Sequence, residues 1–201
     1  MDSLAYSCDY EDQSSLDVAF ELWRSNQERS IISSLLEEGC DPQITGGQAI
    51  APLLCDGGAV TAVWTVSNQC SGPADISGTF SLTAPLVISS NTPRDTTSVS
   101  CSYISQTEVD AAYDDWFVEQ HEIIEASIIG EGCDPEISVS MSAPPDILIG
   151  GSSVVLWSIT DLCALPTVLQ ASFTIHPPSP FAPLSVVDTL VNACDLSLIH
   201  I

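Results

Sequence analysis

Lysine is absent, and arginine occurs only three times against 27 aspartates and glutamates, which leaves a formal net charge of −24. A surface of that sign repels phosphate backbones and anionic lipid, so nucleic-acid binding is excluded as a working idea. It suits salty water, divalent cations or plain solubility. Long apolar runs are missing too, so no segment is expected to insert into a membrane. No C-x-x-C occurs, no Cys/His cluster has zinc spacing, and the histidines His121, His176 and His200 lie far apart. The opening "MDSLAYSCDYEDQ" is acidic and lacks the apolar core of an export signal.

What is present points elsewhere. Of the 201 residues, 45% are hydrophobic, enough for a packed interior. Eight cysteines at scattered spacings suggest disulfides in an oxidising compartment. Such a body without an export signal is expected to be a piece of something longer.

The octet "EEGCDPQI" at 37–44 returns as "GEGCDPEI" at 130–137. The echo is a register. Trp23 and Trp116, Cys40 and Cys133, Trp64 and Trp157, Cys70 and Cys163, and Phe80 and Phe173 each keep the same spacing of about 93 residues. Cys8, Cys101 and Cys194 form a series of three, preceded by "DSLAYSC", "DTTSVSC" and "DTLVNAC". The expected organisation is therefore a tail strand of a preceding repeat at 1–8, then repeats at 9–101 and 102–194. Residues 195–201 are expected to be a non-native tail, since "LSLIHI" resembles the translation of a sequencing-library adaptor.

Within a repeat, Leu16, Phe20, Trp23, Ile31 and Leu35 fall at helical spacing, as do Val109, Tyr113, Trp116, Ile124 and Ile128. Helices are expected over about 15–36 and 108–129, with Ser14 and Thr107 as N-caps and Gly39 and Gly132 just past the ends. "AVTAVWTVS", "ISGTFSLTA", "SSVVLWSIT" and "VLQASFTIH" read as strands, and "DTTSVSC" and "DTLVNAC" as half-buried ones. The fold expected is mainly β with one α-helix per repeat, in tandem antiparallel β-sandwiches. The helix is expected to lay its tryptophan stripe on a sheet face or in a seam between units. Links between units look short, so neighbouring units are expected to be rigidly coupled.

Cys55 and Cys70 bracket a strand and cannot pair with each other, and Cys8 and Cys40 bracket the long helix and are not expected to be partners. That leaves 8–70 with 40–55, or 8–55 with 40–70. Leu148 stands where Cys55 has its counterpart. Carried into the second repeat, the first scheme joins Cys101 to Cys163 and leaves Cys133 a free buried thiol. Cys194 would pair with a following unit.

The string from Cys8 through Tyr10, Gln13, Asp17, Phe20 and Trp23 to Gly39, Cys40, Cys55, Gly57, Gly58, Trp64 and Cys70 resembles the hyalin-repeat-like (HYR-like) four-cysteine repeats. Cys101, Tyr103, Gln106, Asp110, Tyr113, Trp116, Gly132, Cys133, Gly150, Gly151, Trp157 and Cys163 repeat it, with Leu148 as the departure. Such repeats occur in very large cell-surface and secreted proteins of Bacteroidetes, including gliding-motility-associated and adhesin-like ones. The resemblance implies an immunoglobulin-like β fold, a bacterial extracellular location, a structural or adhesive role, and no catalytic residues.

No G-x-S-x-G accompanies His121 or His176, so neither reads as a catalytic base. The acidic pairs in "DYED" and "YDDW" are not kept between the copies, which speaks against a shared acid–base site. Calcium is the one ligand the acidity invites, with Asp9, Glu11, Asp12, Asp41 and Asp134 as candidate oxygen donors, although no EF-hand pattern frames them. The tryptophans keep the register inside apolar patterns and read as core rather than sugar platforms. The function expected is a non-enzymatic module of an extracellular adhesin, filament or matrix protein. Its partners would be neighbouring repeats or copies of itself, with edge-strand exchange as one route, and surface glycans or proteins. The rivals are a calcium- or glycan-binding module and an accessory region of a secreted enzyme.

Overall fold

The computed structural model describes residues 2–35, 41–69 and 72–178. The chain forms two compact units. Among the described residues, the first takes in the chain up to Ile88, Gly130–Pro135 and Asp161–Leu165, and the second holds Ser89–Ile129, Glu136–Thr160 and Pro166–Pro178. The fold is mainly β, with two four-stranded sheets and two long helices.

In the first unit, β1 (Ser3–Tyr6) leads through a short 3-10 turn into α1 (Gln13–Leu35), followed by β2 (Gln43–Gly46), β3 (Gly58–Ser67) and β4 (Ala74–Thr83). The sheet order is β1-β4-β3-β2, with β1 parallel to β4 and the other pairs antiparallel. Residues alternate between faces along a strand. Ala62, Trp64 and Val66 of β3 and Phe80 and Leu82 of β4 therefore share one buried face. The helix turns Leu16, Phe20, Trp23 and Ile31 onto it. Phe20 meets Phe80 edge-on at 5.3 Å between ring centroids, and Trp23 lies 5.5 Å from Phe80 and 6.3 Å from Trp64. The layer that a second sheet would supply in a sandwich is here the helix.

The second unit follows the same order. β5 (Thr96–Val99), α2 (Gln106–Ile128), β6 (Glu136–Met141), β7 (Gly151–Thr160) and β8 (Thr167–His176) form a sheet ordered β5-β8-β7-β6. Tyr113 and Trp116 of α2 pack on Phe173 at 5.6 and 5.7 Å, and Trp116 lies 6.5 Å from Trp157. All four tryptophans are core residues.

Three expectations need correction. The strand at 1–8 is no remnant of another repeat's sheet, because β1 pairs with β4 of its own unit. The strand at 96–99 likewise opens the second sheet by pairing with β8. Aspartates fix both placements: Asp2 accepts a hydrogen bond from the Thr79 N–H (3.1 Å) and Asp95 one from the Ser172 N–H (2.7 Å). The boundary read at 101/102 therefore moves upstream. The helices also start earlier than expected. Asp12 caps α1, its carboxylate accepting the Ser15 N–H at 2.7 Å. Ser105 caps α2 by accepting the Glu108 N–H, and the Glu108 carboxylate accepts the Ile104 N–H. The "DTLVNAC" strand, Gly39 and the tail at 195–201 lie outside the described residues.

Candidate functional site, a pair of disulfides in the first unit

Two turns build one side of this site. β1 ends in the 3-10 turn Ser7–Asp9, which presents Cys8, while the Ser7 hydroxyl donates to the Thr83 carbonyl at 2.9 Å and holds the turn against β4. Cys55 sits in the tight turn between Leu53 and Gly57, closed by the Gly57 N–H on the Leu53 carbonyl at 3.0 Å. Gly57 has φ +65° and a Cβ there would lie 2.7 Å from the Ala84 nitrogen, so a larger residue is refused. Gln13 ties this turn to the start of α1. Its carbonyl accepts the Leu54 N–H (2.8 Å), and its amide donates to the Pro52 carbonyl (3.1 Å) and to Asp17 (2.8 Å). Gln106 makes the same three bonds with Ile147, Pro145 and Asp110.

The other side comes from far along the chain. Cys8 is bonded to Cys133 with Cα atoms 4.9 Å apart, and Cys55 to Cys163 at 5.1 Å. These bonds replace the expected pairings of Cys8 with Cys70 and Cys101 with Cys163, and Cys133 is not a free thiol. Cys101 is also disulfide-bonded. Cys40, Cys70 and Cys194 lie outside the described residues. The expected schemes sought the partners of Cys8 and Cys55 among Cys40, Cys55 and Cys70, whereas both partners lie one period further along the chain.

Asp161 organises the two incoming cysteines. One carboxylate oxygen accepts the Cys133 N–H at 2.5 Å, and the other accepts the N–H groups of Cys163 (2.8 Å) and Ala164 (3.1 Å). Charge-assisted bonds of this kind are the stronger class. The loop before Cys133 is pinned by the Gly132 N–H on the Leu86 carbonyl at 2.9 Å. Gly132 has φ +63°, and a Cβ on it would fall 2.6 Å from the Asp161 carboxylate and 3.0 Å from Ile88. Cys133 is buried, and Cys163 packs against the core of the first unit. Asp161 was not singled out from the sequence. Its signal was weak, since the matching position in the first copy is Asn68.

The acidic residues named as calcium donors are not brought together. Asp12 caps α1, Asp9 accepts the Tyr6 N–H at 3.4 Å, and Asp41 and Asp134 occupy left-handed turns with φ 52° and 62°. Among the described residues, no three His, Cys, Asp or Glu side chains form a group fit to hold a metal. His121 stacks on Phe117 at 5.7 Å within α2, and His176 is exposed at the end of β8. His200 lies outside the described residues. Among those residues no helix is long and apolar enough to cross a membrane.

No protein-family model matches this chain, and no curated protein matches it either. Among solved structures, human mucin-like protocadherin EC1-2 overlaps 70% of this chain and 85% of its own at 9% identity, with a TM-score of 0.27. An endo-fucoidan hydrolase of glycoside hydrolase family 107 overlaps 71% of this chain and 23% of its own at 8% identity, with a TM-score of 0.17. Overlaps so slight carry no weight for fold or function.

Proposed function

We propose that the chain is a non-enzymatic, extracellular repeat module, two copies in tandem, of a large cell-surface adhesin, filament or matrix protein of the HYR-like kind. The observation that carries this reading is the pair of disulfides that ties loops of the second copy into the first unit. Disulfide-bonded chains belong to oxidising compartments, and a chain that spends its cysteines on joining copies gains length and durability. The net charge of −24 supports solubility and mutual repulsion of such arrays. The helix-on-sheet unit is compact enough to be strung in series, and the partners of each copy are its neighbours.

The test is localisation in the source cells. An antibody against residues 2–178 should stain intact, unpermeabilised cells or their surrounding matrix, and external protease should remove the stain. Staining only after permeabilisation would overturn the reading.

A further inference from the structure

The disulfides have a consequence for how the chain bears load, and the inference rests on the extracellular-array reading above. Cys8 and Cys133 are 125 residues apart, and Cys55 and Cys163 are 108 apart. In the 93-residue register Cys133 matches Cys40, and Cys163 matches Cys70. Each bond therefore joins the two positions that flank one element, but one repeat further on. A bond closed inside a repeat would shield only that repeat's own loop from tension. A bond staggered by one repeat carries force past a whole copy.

We propose that the Cys8–Cys133 and Cys55–Cys163 bonds form a load shunt, so that tension along the chain bypasses everything between Cys8 and Cys133 and cannot unravel it. Force entering at β1 reaches Cys8 within a few residues and crosses directly to Cys133. Everything between, including α1, β2, β3, β4, β5 and α2, hangs as a closed loop outside the force path. The second bond closes an overlapping loop from the turn between β2 and β3 to the turn between β7 and β8, so that loss of one bond leaves the other bridging most of the same span. Asp161, bonded to the N–H groups of both Cys133 and Cys163, holds the two incoming cysteines together at the junction. The partner on which the device acts is whatever pulls on the array from outside.

The test is single-molecule stretching of the full chain with handles at its two ends, oxidised and then in reducing buffer. The readout is the length of the fully extended chain, so it does not depend on a variant's ability to fold. At about 3.5 Å per residue, withdrawing 125 residues shortens the oxidised chain by about 44 nm or more relative to the reduced one. The double variant Cys8→Ser with Cys133→Ser should still be shorter than its reduced form, by about 38 nm or more, through the 108-residue loop that remains. Equal lengths in the two buffers, or a difference below about 44 nm for the unaltered chain, would overturn the proposal. Because the measurement uses the isolated chain, that failure would leave the cell-surface reading standing, and wrong localisation would leave the shunt standing.

Discussion

Cys8 and Cys133 are joined although 125 residues separate them. Cys133 is the second copy's version of Cys40, which follows the long helix just as Cys8 precedes it. The helix between those two sequence positions has 23 residues, each adding about 1.5 Å of length. Cys8 takes its partner from the helix-end position of the following copy. Cys55 and Cys163 repeat the arrangement across a strand.

Cleavage tolerance follows from this connectivity. A single protease cut between Cys8 and Cys133 leaves both fragments covalently joined. Limited proteolysis should therefore give fragments that migrate as one species on a non-reducing gel and separate after reduction. Separation without reductant would contradict the Cys8–Cys133 bond.

Asp161 is expected to act as an organiser of the staples. Asp161→Ala leaves the N–H groups of Cys133, Cys163 and Ala164 without their acceptor. Lost bonds to a charged acceptor cost about 1.5–3 kcal/mol each where burial denies them water. Oxidative refolding of the variant should yield a lower fraction of correctly paired chain than the parent, measured by peptide mapping. An unchanged fraction would remove Asp161 from this role.

Gln13 and Gln106 should prove interchangeable in kind. Each latches its own helix start to the following turn through the same three bonds. Gln13→Ala leaves the Leu54 N–H unpaired and should cost about 1–3 kcal/mol in denaturant unfolding. A loss smaller than that would mean that water replaces the latch.

Tyr113 gives the chain a weakness in alkali. Burial, and to a lesser degree the Asp114 carboxylate, raise its phenol above the ordinary value of 10.0. The folded state thus keeps the proton longer than the unfolded state does, so this contribution is complete below pH 10 and declines as pH rises through and beyond it. The phenol also donates to the Ser142 carbonyl at 2.9 Å. Tyr113→Phe copies the first unit, where Phe20 stands at the matching position. It should cost about 1 kcal/mol near neutrality and flatten the alkaline decline, as followed by thermal melts at several pH values. An alkaline decline as steep as the parent's would place its origin elsewhere.

Much of each unit was legible because its residues answer to a period. The buried helix positions Leu16, Phe20, Trp23 and Ile31 and the alternating strand residues Trp64, Val66, Phe80 and Leu82 are where spacing put them. β2 and β6 were missed because they are edge strands with little burial on either face, as in Glu136–Met141, and so carry weak alternation. Asp12, two residues upstream of the expected cap Ser14, caps α1; both are good capping types and local sequence does not separate them. The helix's aromatic stripe packs on the sheet face, where its period had placed it in the sequence. The disulfide pattern was hidden for a different reason. Strand and helix lengths correctly forbade the 55–70 and 8–40 pairings inside a repeat, but those same two classes of position meet once the partner is taken from the next copy.

Disulfide mapping tests the central claim most directly. The unreduced chain is digested and its linked peptides are identified by mass spectrometry. Peptides joining Cys8 to Cys133 and Cys55 to Cys163 are the expected result. Peptides joining Cys8 to Cys70, or Cys101 to Cys163, would contradict it.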